Sequence, residues 1–137
     1  MKRKTIFIVT LLSIMLCIIP LASMASIQAN AVFNGASVGL TSSMYATFDA
    51  YTKYTCSKIW VSSCTLQRMD DDGNVISSTS LTPPSTSYTN SADFSAEKSY
   101  SDKGTSGYKY RLKVVFKATY NSTTYSTTAY SVTRTRN

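Results

Sequence analysis

Few residues in this chain could carry chemistry. The 137 residues include no histidine, so no imidazole can act as general base, proton shuttle or metal ligand. Cys56 and Cys64 stand eight positions apart. A nucleophilic thiol would have no histidine to activate it. Export and the even cysteine count after residue 31 point to a disulfide, with two buried thiols as the alternative. On one straight strand they would lie about 26 Å apart, at roughly 3.3 Å per residue, so a bond requires a bend near Ser57-Lys58. Asp70-Asp71-Asp72-Gly73-Asn74 gathers three carboxylates. Calcium takes six or more oxygens, and the bidentate Glu that closes an EF-hand loop is missing here. The segment reads as a solvated hairpin turn, and no metal site is expected. Glu97 is the only Glu, and Asp49, Asp93 and Asp102 have no partner evident from spacing. A two-carboxylate hydrolase needs its acids about 5–10 Å apart across a cleft. There is no glycine-rich phosphate loop and no G-x-S-x-G elbow. The expectation is a non-enzyme with no catalytic residue and no cofactor.

The remaining chemistry is that of binding. Lys109, Arg111, Lys113 and Lys117 recur at alternate positions of one segment, a positive stripe suited to an anionic polymer or membrane surface. No recognition motif accompanies the stripe, so nucleic acid is not expected as a partner. All ten Tyr fall after residue 31. Tyr45, Tyr51 and Tyr125 are the candidate ligand contacts, because aromatic faces stack on sugars and similar flat groups.

These side chains are positioned by strands. Tyr108, Tyr110, Leu112, Val114, Phe116, Ala118 and Tyr120 alternate with Lys109, Arg111, Lys113, Val115, Lys117 and Thr119. A period of two predicts a strand with one buried and one wet face. Asn121-Ser122 marks a turn, and Thr124 to Arg134 reads as the returning strand, with Tyr130 and Val132 inward. Ile59 to Met69 and Val75 to Leu81 form a second hairpin around the Asp-rich turn, where Gly73 and Asn74 supply positive φ. Met44, Ala46, Phe48 and Ala50 alternate with Tyr45, Thr47, Asp49 and Tyr51 in another strand. Val32 to Leu40 reads as an edge strand interrupted near Gly35, and Ala92 to Ser99 as a short strand. No window carries apolar residues at helical spacing. Six or seven strands in one domain predict an all-β fold, an antiparallel β-sandwich.

The N-terminus reads differently. Lys2, Arg3 and Lys4 precede an uncharged run from Ile6 to Ile19, then Pro20 and small residues. That order is a secretory signal peptide covering residues 1–31, with cleavage after Ala25 or after Ala31. The run is short for a membrane span, which needs about 20 residues. The mature domain, residues 32–137, keeps 11 basic and 7 acidic residues, a net +4, where the whole chain carries +7. In it 36 of 106 residues are Ser or Thr, which suits strands and turns better than helices.

Trp60 on the presumed third strand, and Gly107-Tyr108-Lys109-Tyr110-Arg111-Leu112 opening a late one, resemble the core Trp and strand-opening Tyr of immunoglobulin-like and fibronectin type III-like domains. Leu112 stands where the antibody pattern has its second cysteine, so that inter-sheet bond is absent. The chain is similar to small secreted Gram-positive proteins of this kind. The expected function is a secreted, non-catalytic module that binds a cell-envelope polymer or a protein partner. Two alternatives are a membrane-active, bacteriocin-like protein, in which Thr119 to Thr135 inserts as a hairpin, and a weak envelope-polymer hydrolase. No stable membrane span is expected after signal cleavage.

Overall fold

The computed structural model describes residues 31–137. The expected signal peptide and its cleavage sites fall outside the described residues, apart from Ala31. Nine strands follow: β1 (Phe33–Leu40), β2 (Tyr45–Cys56), β3 (Lys58–Met69), β4 (Val75–Leu81), β5 (Ser87–Tyr88), β6 (Ser91–Ser99), β7 (Lys109–Tyr120), β8 (Thr123–Tyr130) and β9 (Arg134–Thr135). There is no helix among the described residues. The count exceeds the expected six or seven because β5 and β9 are two-residue bridges without a periodicity of their own.

The strands form two antiparallel sheets. The smaller has the order β1-β2-β6; the larger has β4-β3-β7-β8, with β5 also against β3 and β9 against β7. Alternation decides which side chains face inward. Met44 precedes β2, which then buries Ala46, Phe48 and Ala50; β7 buries Tyr110, Leu112, Val114, Phe116 and Ala118. Phe94 of β6 meets Phe116 of β7 edge to face, with centroids 6.2 Å apart, and so ties one sheet to the other. Such a pair adds about 0.5–1.5 kcal/mol beyond its buried area. β4 is an edge strand of the larger sheet: only Leu81 is buried, and Val75 and Ile76 are exposed.

Turn chemistry follows the sequence closely. Asp70 accepts hydrogen bonds from Asn74 N (2.7 Å) and Nδ2 (3.0 Å) and closes the β3–β4 hairpin. Gly73 alone supplies the positive φ (84°); Asn74, expected to share that role, does not. Asn121 and Ser122 both have positive φ (47° and 63°), the pattern of a two-residue turn matched to strand twist. The β1–β2 register shifts between Phe33 and Gly35, the interruption expected there.

Several expectations need correction. Cys56 and Cys64 are buried free thiols, not a disulfide. The required bend exists at Ser57, where the chain passes from the smaller sheet to the larger, but it directly follows Cys56. Cys64 then sits about six residues along β3, roughly 20 Å from the corner. A disulfide needs Cα atoms about 4.4–6.8 Å apart. Tyr130 and Val132 face out, while Ala129 and Ser131 are buried. A one-residue offset in register exchanges the two faces of a strand. Tyr108 precedes β7 and is exposed. Trp60 is only half-buried, because Ile59 and Val61 take the inward positions of β3. Tyr125 is half-buried and packs against the core, so only part of its side chain is open to a ligand.

Candidate binding surface

The basic stripe lies on the outer face of β7, in the middle of the larger sheet. Its neighbours follow from the ladder. Lys117 lies between Trp60 of β3 and Ser126 of β8, and Lys113 between Thr65 and Tyr130. Arg111 lies beside Gln67, and Val115 between Ser63 and Thr128. Long lysine stems lie along such a surface while their heads stay wet, which accounts for the half-burial of these residues.

The four cations are not equivalent. Lys109 is bonded to Asp71 at 2.9 Å, and that carboxylate holds its pKa above the ordinary lysine value. Arg111 donates from Nε to Gln67 Oε1 at 2.8 Å and lies 4.7 Å from the centre of the Tyr130 ring. Lys113 and Lys117 have no carboxylate partner among the described residues. Lys58 joins them from β3, its ammonium 4.9 Å from the Trp60 ring centre. The usable surface therefore consists of Lys58, Lys113 and Lys117, with Trp60 and Tyr130 as aromatic planes at its corners. Lys58 does not stand out in the sequence, and Trp60 and Tyr130 were expected in the core. The signal that could have found them is the β3–β7 and β7–β8 register, which sets Trp60 against Lys117 and Tyr130 against Lys113.

A groove of about 330 Å³ adjoins the Lys109 end of the stripe, lined in part by Arg68, Asp70, Asp71, Ile76 and Tyr108. The Arg68 guanidinium stacks 3.6 Å from the Tyr108 ring centre, and its buried Nε has no hydrogen-bond partner among the described residues. Two cations and two carboxylates share this groove, so it offers no net charge to an ion.

The other candidates are elsewhere. Tyr45 and Tyr51 are exposed on the outer face of the smaller sheet, on the opposite side of the molecule from the lysines. The Tyr45 hydroxyl donates to the Glu97 carboxylate, which raises the Tyr45 pKa. Cys64 lies deep in the sandwich near Tyr100, and burial pushes its thiol pKa up. A thiol in that state is a poor nucleophile. No protein-family model, curated protein or solved structure matches the chain.

Proposed function

We infer that the chain is an exported, non-catalytic binding module that attaches to an anionic polymer of the cell envelope through the outer face of its larger sheet. The observation that carries this reading is the pair Lys113 and Lys117, free of carboxylate partners and flanked by Trp60 and Tyr130 on a flat strand surface. Regularly spaced cations on a flat face suit a repeating anion, and the aromatic planes suit sugar rings between the charges.

An immunoglobulin-like or fibronectin type III-like type of sandwich accompanies this reading. It is supported by the strand orders β1-β2-β6 and β4-β3-β7-β8. It is supported too by Tyr110 near the start of β7, whose hydroxyl accepts from Thr105 N at 2.9 Å, five residues upstream. That bond has the form of the tyrosine corner of such domains. The half-buried Trp60 departs from their pattern.

Retention on isolated cell walls at low and high salt tests the function. Binding is expected at low salt and release at high salt, since exposed charges are screened. Lys58→Gln/Lys113→Gln/Lys117→Gln should lose retention and keep its circular dichroism spectrum. Full retention by that variant would overturn the proposal.

A further inference from the structure

The outer faces of the two sheets carry opposite charge. On the smaller sheet, β2 and β6 turn Asp49, Asp93 and Glu97 outward, beside Ser95, Tyr51 and Thr47 respectively. None of the three carboxylates has an ion-pair partner among the described residues. Lys98 of β6 turns the other way and donates to the Pro83 carbonyl at 3.0 Å. Lys53 lies beyond Tyr51, where the β2–β6 register breaks. The outward residues of β1 are Gly35, Ser37 and Gly39, so this part of the acidic face is low and flat. At Gly39 a Cβ would collide with the Thr47 hydroxyl. On the larger sheet, β3, β7 and β8 contain no Asp or Glu, and their outer face presents Lys58, Arg111, Lys113 and Lys117. Aromatic side chains stand on both faces, Tyr45 and Tyr51 on the acidic one and Trp60 and Tyr130 on the basic one.

We propose that the acidic face of the smaller sheet is a docking surface for a second copy of this chain, seated through the basic outer face of its larger sheet. The two surfaces lie on opposite sides of one sandwich, so the contact is head-to-tail and generates an open stack, not a closed dimer. Each face spans about three strands at about 4.8 Å and seven residues at about 3.3 Å, roughly 300 Å². A standard interface buries about 800 Å² per partner. The contact is therefore weak, and it populates where the protein is concentrated and salt is low. It shares the basic face with the polymer reading but does not depend on it.

Sedimentation velocity of the purified protein over a concentration series tests the proposal. At an ionic strength of about 0.01 M the sedimentation coefficient should rise with concentration; at about 1 M it should stay at the monomer value. Asp49→Asn/Asp93→Asn/Glu97→Gln should be monomeric at both salts and still bind cell walls, which separates this contact from polymer binding. A charge-reversal pair guards against misfolding. Asp49→Lys/Asp93→Lys and Lys113→Glu/Lys117→Glu should each be monomeric alone and associate when mixed. A monomer at low salt throughout the series, association unaffected by the acidic-face substitutions, or no recovery in the mixture would overturn the proposal.

Discussion

Ser131 holds the C-terminal segment to β7 by one bond of its hydroxyl and one of its backbone N–H, which donates to the Leu112 carbonyl at 2.9 Å. Its Oγ accepts from the Leu112 N–H at 2.8 Å and donates to the Val132 carbonyl at 2.9 Å. Ser131→Ala leaves that buried N–H without a partner, and an unpaired buried donor costs about 1–3 kcal/mol. Urea unfolding should show a loss of that size, with an unchanged slope. Titrating groups set the limits of stability with pH. Burial, with Cys64 beside it, holds the Tyr100 hydroxyl above its ordinary 10.0, and burial holds the Cys64 thiol above 9.0. Raised values mean that this stability is complete below those ordinary values and is lost as pH rises beyond them. Asp70 is held below 3.8 by its bonds to Asn74, so its contribution is present above that value and is lost as pH falls. Melting temperature should therefore decline at both extremes, and Tyr100→Phe should flatten the alkaline limb. An alkaline limb identical in that variant would contradict the assignment.

At the scale of the element, the strongly alternating segments were legible and the corners were not. Period two is unambiguous along β7, and the inward row from Met44 through Ala50 is fully buried as expected. Past residue 121 the Thr, Ser and Tyr residues are compatible with either face. The register there is set by the Asn121-Ser122 turn and by the Ser131 bonds, not by hydrophobicity, so the expected inward Tyr130 and Val132 were one position out. The cysteines failed for a related reason: the bend at Ser57 was expected, but composition does not reveal that β3 runs on from it as one strand and carries Cys64 away from Cys56. Two further outcomes follow. Phe116→Ala removes the inter-sheet aromatic contact and a large core side chain, and should cost about 3–5 kcal/mol in urea unfolding. A reducing agent should leave the melting temperature unchanged, and the two thiols should react with a thiol reagent only after unfolding. A drop in melting temperature on reduction would contradict the free, buried state of Cys56 and Cys64.

At the scale of the whole molecule, charge separates by face. Composition gives only a modest positive excess for residues 32–137, and the strand order turns it into a basic outer side and an acidic outer side. The candidate site was half legible. Alternation put the lysines on one outer surface, but the aromatic corners and the loss of Lys109 to Asp71 depend on cross-strand neighbours that no single segment reveals. The most direct measurement is an NMR titration of the labelled protein with a soluble anionic envelope polymer at low salt. Amide and side-chain shifts should move together at Lys58, Trp60, Lys113, Lys117 and Tyr130, and return when salt is raised. Shifts centred on β1, β2 and β6, or none at all, would contradict the account.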